Sequence, residues 1–178
     1  MPASAESRKP PASRREGGVS QRRAARLAAV QALYQIEMTD APAERVVPDF
    51  LSHGLDQEID GVPLANLDRA FFGGLVIGVS KDGEELDDML SAMLAEAWPI
   101  ERLETLLRII LRAGAYELAH RPEIPAQAVV AEYVALAHAF FDGKEPGMAN
   151  GVLDALARYL RSEEFDVDGA GTLSPEIG

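Results

Sequence analysis

The chain has 178 residues, 47% of them hydrophobic, a net charge of −12 and no cysteine. That length suits one compact domain, or two small subdomains sharing a core. The hydrophobic content excludes a wholly disordered chain, the missing cysteine excludes disulfides and thiolate metal sites, and no apolar run reaches the roughly 18–20 residues that span a bilayer.

Charge is unevenly spread. Residues 1–26 hold seven basic residues against Glu6 and Glu16, so the remainder carries −17. Salt confines the reach of exposed charges to about 8–10 Å, which lets a local basic patch act beside an acidic body. Residues 1–19 are rich in Pro, Ser, Gly and charge and read as a disordered basic arm. They lack the apolar stretch of a secretory signal, which points to a soluble cytoplasmic protein with no membrane attachment.

Ser20 reads as the N-cap of a helix running to about Met38, with Arg23, Leu27, Val30 and Tyr34 on one stripe. Pro42 and Pro48 punctuate a short helix before Gly54. The run Phe71–Val79 fits a buried strand or a tightly packed helix. Its flank decides for helix, since Leu86, Met89, Leu90, Met93 and Leu94 recur with helical spacing up to a stop at Trp98-Pro99. A core helix follows over 100–120, another over 126–141, and a last one from Pro146 to Arg161. Residues 163–178 read as a disordered acidic tail. The expectation is an all-α fold of about seven helices occupying 20–162, in two packed helical subdomains over about 20–97 and 100–162.

Residues that would carry catalysis are not grouped. Gly73, Gly74 and Gly78 match no phosphate-loop spacing and suit close helix packing. His53, His120 and His138 have no metal-ligand spacing. The carboxylates from Asp82 to Asp88 fit the start of a helix, where negative charge meets the positive end of the dipole. No nucleophile has a paired base. The reading is a protein without metal, cofactor or catalytic site.

The arginines are the anomaly. With Ser20 as N-cap, Arg22, Arg23 and Arg26 fall in the first two turns, where cations oppose the dipole. Arg23 also takes the position where a capping box wants Glu or Gln. One reading is a solvated face. The other is an anion site, because guanidinium groups bind phosphate through paired hydrogen bonds and stack on bases. Tyr34, three turns on from Arg23, is either a stacking platform for an unpaired base or a core tyrosine.

"RRAARLAAVQALYQIE" resembles the opening helix of the NusB family of bacterial transcription antitermination factors. "LRAGAYEL", "IPAQAVVAEYVALAHAF" and "MANGVLDALAR" resemble later helices of that family, in register from about Gln21 to Leu160. The resemblance implies an all-α fold and a non-enzymatic factor. It would bind single-stranded boxA RNA together with the ribosomal protein NusE, within an antitermination complex on RNA polymerase that transcribes ribosomal RNA. It assigns Arg22, Arg23, Arg26 and Tyr34 to the RNA surface, and the segment from Phe140 to Met148 to its border. The family often reads Phe-x-Asn-Gly at the last helix, after a Lys. Met148 stands at that Phe here, and Lys144 is the nearest replacement for the cation.

Glu101 and Glu104, at an acidic helix start, are candidates for contact with basic NusE. A homodimer could cover or extend the arginine surface. The acidic residues Glu163, Glu164, Asp166 and Asp168 could fold back on the arginines. The alternatives are a helical protein-binding adaptor, or an RNA-targeting domain like that of ribosomal RNA cytosine methyltransferases. The lack of a cysteine nucleophile weighs against the last.

Overall fold

The computed structural model describes residues 12–166, with side chains from residue 17 onward. Among the described residues, eight α-helices follow one another: α1 (Ala12–Thr39), α2 (Ala43–His53), α3 (Arg69–Lys81), α4 (Gly83–Met93), α5 (Thr105–His120), α6 (Ala126–Phe140), α7 (Glu145–Leu160) and α8 (Ser162–Asp166). A two-stranded hairpin, β1 (Glu58–Ile59) and β2 (Val62–Pro63), lies between α2 and α3. A single 3-10 turn, Ile100–Arg102, precedes α5.

α1 sets the frame. Its 28 residues make a rod about 42 Å long at 1.5 Å per residue. It packs on α2, α3 and α5. Ala25, Ala28, Ala29, Val30 and Ala32 are fully covered, and these small side chains let neighbouring helices approach closely. α5, α6 and α7 pack on one another, and α4 rests on α5 and α7. One continuous buried cluster runs through both expected halves of the chain.

Several expectations change. Helix α1 begins at Ala12, so Ser20 lies inside it and caps nothing. Residues 12–19 extend the helix instead of forming a loose arm; residues 1–11 lie outside the described region. Arg22 is thus the eleventh residue of α1, beyond the first turn where the dipole acts. The misplaced-charge argument fails for that reason. α4 stops at Met93, short of Trp98. The helix expected from Ile100 is a 3-10 turn, a break at Leu103–Glu104, and then α5. The eighth helix falls where the tail was expected to begin, and residues 167–178, with Asp168, lie outside the described region.

Phe71–Val79 does form a helix, within α3. Its Gly78 suits close packing, because a Cβ there would clash with the outer end of the Tyr116 ring and its hydroxyl on α5. The hairpin turns on Asp60-Gly61, with φ of 50° and 75° and Ile59 opposite Val62. Positive φ at both central residues is the type I′ geometry that Asp-Gly favours.

Candidate nucleic-acid interface

Arg22, Arg23 and Arg26 leave α1 in three directions and meet three environments. Arg26 points inward and is only 4% exposed. Its Nε and Nη2 donate to the two carboxylate oxygens of Glu117 on α5, both at 2.8 Å. Glu117 also accepts a hydrogen bond from the Tyr133 hydroxyl on α6. Burial pushes the Arg26 guanidinium toward losing its proton, but the hydrogen bonds and charge of Glu117 outweigh it and raise its pKa. Burial and the adjacent Glu117 charge push the Tyr133 hydroxyl well above its ordinary value. This triad ties α1, α5 and α6 together. Arg26 is therefore a core residue, which corrects its assignment to the RNA surface.

Arg23 points outward. It makes the same two-pronged contact with Glu132 of α6, at 2.9 and 3.2 Å, but its side chain is 55% exposed. Hydrogen bonding to Glu132, then its charge, raises the Arg23 pKa. Arg22 is half-buried, with its guanidinium 5.4 Å from the centre of the Phe71 ring.

Beyond Arg23 two adjoining depressions that share Asp60 make a groove between α1, the hairpin and α6. Its narrower end is lined by Arg23, Leu27, Asp60, Val62, Glu132, Ala135, Leu136 and Ala139, with the buried Arg26 at its floor. Its wider end, about 530 Å³, is lined by Val30, Gln31, Tyr34, Gln57, Glu58, Ile59, Asp60, Glu104, Leu106 and Phe140. Asp60 borders both ends. From Arg23 to Tyr34 the α1 wall is about 16 Å long. The stripe Arg23, Leu27, Val30 and Tyr34 therefore lines this groove.

Tyr34 and Phe140 are 39% and 37% exposed and line the same wide end, one from α1 and one from α6. For Tyr34 the choice between platform and core tyrosine is resolved toward the surface. Helix geometry supplies the reason: Leu33 takes the buried position and turns its neighbour outward. Gln31 and Gln57 join across the groove at 3.4 Å. Glu58, Asp60 and Glu104 make the lip acidic.

The remaining candidates lie at or beyond this edge. Lys144, at the N-cap of α7, places its ammonium 4.2 Å from the centre of the exposed Trp98 ring. Met148 is half-buried and packs on the core, so it offers little platform. Glu104 caps α5 by accepting from the Leu107 N–H at 3.3 Å, a structural role beside its place in the groove. Glu101 is exposed on the 3-10 turn. Glu164 folds back, but onto Arg161 (3.2 Å) and the Ala126 N–H (2.7 Å), away from the α1 arginines.

The sequence reading overlooked Gln31, Gln57, Glu58, Asp60, Glu132 and Trp98 as parts of this surface. The dipeptide Asp60-Gly61 between the β-branched Ile59 and Val62 was the available signal for the hairpin. Glu117 was signalled too, as an acid on the apolar stripe of α5.

The NusB family model matches residues 23–158. The chain belongs to the NusB family. The transcription antitermination protein NusB of Rhodopseudomonas palustris (strain BisB18) is 46% identical over 155 residues, covering 87% of this chain and 92% of that protein. The corresponding protein of Bradyrhizobium diazoefficiens is 45% identical over 161 residues, covering 90% and 98%. T. maritima NusB superposes with a TM-score of 0.61 at 25% identity, over 82% of this chain and 96% of that one. A crystal structure of the antitermination factors NusB and NusE with double-stranded RNA shares the fold, with a TM-score of 0.64 at 23% identity over 78% and 97%. The matched segment contains every groove residue named above, from Arg23 to Phe140, and Arg22 stands just before it. Among the described residues no helix is long and apolar enough to cross a membrane.

Proposed function

We propose that this chain is a cytoplasmic, non-enzymatic antitermination factor that holds single-stranded boxA RNA in the groove between α1, the hairpin and α6, together with NusE on transcribing RNA polymerase. The observation that carries the RNA contact is the pair of exposed rings, Tyr34 and Phe140, on facing walls of one groove with Arg23 at its other end. Aromatic side chains hold unpaired bases by stacking, worth about 1–3 kcal/mol per base. Amides and carboxylates beside the rings are partners for the Watson–Crick edges of bases, which are free only in unpaired RNA. The acidic lip repels phosphate, so it favours bases turned inward and the backbone turned toward Arg22 and Arg23. Family membership supplies the antitermination role, and the NusE complex of a family member supplies the partner.

The test is fluorescence anisotropy with labelled boxA RNA, with and without NusE. Binding that tightens with NusE and weakens in Tyr34→Ala and Phe140→Ala is expected. Binding of NusE with no RNA affinity in either condition would instead support a protein-binding adaptor.

A further inference from the structure

Three guanidinium groups surround one buried ring. Arg22 and Arg26 of α1 and Arg121 at the C-cap of α5 lie 5.4, 5.1 and 5.0 Å from the centre of Phe71, which is 3% exposed. Arg22 and Arg121 are thus no farther apart than the sum of their distances to that centre. Glu117 balances Arg26. Arg121 has only Glu123, at 3.5 Å and half exposed, and Arg22 has no carboxylate within 4 Å among the described residues. Asp68 begins α3 nearby, with its N–H donating to Gln21, but its carboxylate accepts from the Phe71 N–H. Like charges that share one ring repel one another, and an anion held by both relieves that repulsion.

The arrangement is built into the backbone. The Arg121 backbone N–H donates to the Glu117 carbonyl at 2.9 Å, and the Arg121 carbonyl accepts from the buried Arg161 at 2.7 Å. The side chain then crosses α3 at Gly74, where a Cβ would meet its Nη2 at 3.3 Å. Guanidinium planes packed on an aromatic ring keep their in-plane N–H edges free to donate. A cation at the C-terminus of α5 also suits that helix's dipole, but this alone does not bring Arg121 to the ring that Arg22 already covers.

We propose that Arg22 and Arg121 form a phosphate site over Phe71, filled by an RNA backbone phosphate. The site extends the RNA surface around α1, away from the groove, to a residue outside the α1 cluster. It rests on the RNA-binding reading above, and the shared chemistry extends to free phosphate.

The experiment measures boxA RNA affinity across a salt series for the wild type, Arg121→Gln, Arg121→Lys, the Arg22→Gln/Arg121→Gln double variant, and Lys81→Gln at the far end of α3. Thermal unfolding with and without inorganic phosphate accompanies each. Losing one phosphate contact flattens the plot of log affinity against log salt by about 0.7 for single strands. Arg121→Gln is expected to show that change and the double variant no more than the same change, because the two arginines hold one phosphate. Arg121→Lys and Lys81→Gln are expected to keep the wild-type slope. A wild-type slope in Arg121→Gln overturns the site. If the wild type binds no RNA, the functional reading fails separately. The site then stands if inorganic phosphate raises the unfolding temperature of the wild type and not of Arg121→Gln, and falls if the two respond alike.

Discussion

Two arginine–glutamate pairs, anchored three residues apart on α1, have nearly the same geometry and opposite meanings. Arg23 and Glu132 meet edge to edge at the rim of the groove, with side chains 55% and 18% exposed. Arg26 and Glu117 meet the same way beneath it, at 5% and 0%. In both, the carboxylate raises the arginine's pKa. Solvent separates them. An exposed pair contributes about 0–1 kcal/mol, so a phosphate can displace Glu132 at little cost. A buried pair cannot be exchanged, because either partner left alone is a desolvated charge. The contact that looks stronger in isolation is thus the one unavailable to RNA.

The largest effect should come from breaking the inner pair. Arg26→Ala leaves Glu117 unpaired and should cost about 3–5 kcal/mol. At about 2–4 °C per kcal/mol for a chain of this size, the unfolding temperature should fall by roughly 6–20 °C. RNA affinity per folded molecule should stay within about two-fold. Urea unfolding and RNA titration on one preparation measure both, and lost RNA binding with stability intact would erase the distinction between the pairs. Tyr34→Ala is the complementary case. It should weaken RNA binding roughly 5- to 150-fold, matching the loss of one stacked base, with little change in unfolding.

Tyr133 sharpens the inner side of the comparison. Burial first, then the Glu117 charge, raises its pKa in the folded state above the unfolded value near 10. The neutral hydroxyl is favoured by folding, so its contribution is fully present below about pH 10. It is lost as pH rises from there toward the folded-state pKa. In that window stability should fall by up to about 1.4 kcal/mol per pH unit on this account. Tyr133→Phe lacks this slope, although it is less stable at neutral pH. Urea midpoints at pH 9, 10 and 11 for both proteins measure the difference. Parallel curves would place the Tyr133 proton elsewhere.

How far the sequence carries the fold follows from the same physics. Periodic apolar stripes in α3 through α7 identify helices because each buries a face. Helix ends were less legible. Ser20 has the chemistry of a cap, but the chain before it continues the helix, and side-chain type does not reveal that. Arg26 and Glu117 each interrupt an apolar stripe, Arg26 beside Ala29, Val30 and Leu33, and Glu117 beside Ile110 and Gly114. A charge in such a place already suggests a buried pair. Its partner, 91 residues away, is fixed only by tertiary packing. The groove was half legible: Arg23 and Tyr34 share a helical stripe, whereas Glu132 and Phe140 reach it because α6 forms the opposite wall.

Glu132→Gln gives the smallest effect and separates two explanations most cleanly. The amide keeps the shape of the carboxylate while removing its charge, so Arg23 loses its ion pair and is released for phosphate. RNA affinity should rise about two- to five-fold, most at low salt, and stability should change by less than about 1 kcal/mol. Removing a negative charge from the groove would also favour RNA in a general way. The background resolves this. With Arg23→Gln already present, the same change should have almost no effect if Glu132 acts by occupying Arg23. It should keep its full effect if Glu132 acts only through the field. A double-mutant cycle in RNA affinity reads that coupling directly. An additive cycle would mean that the rim pair is no latch on Arg23, and the contrast with the buried pair would then be one of stability alone.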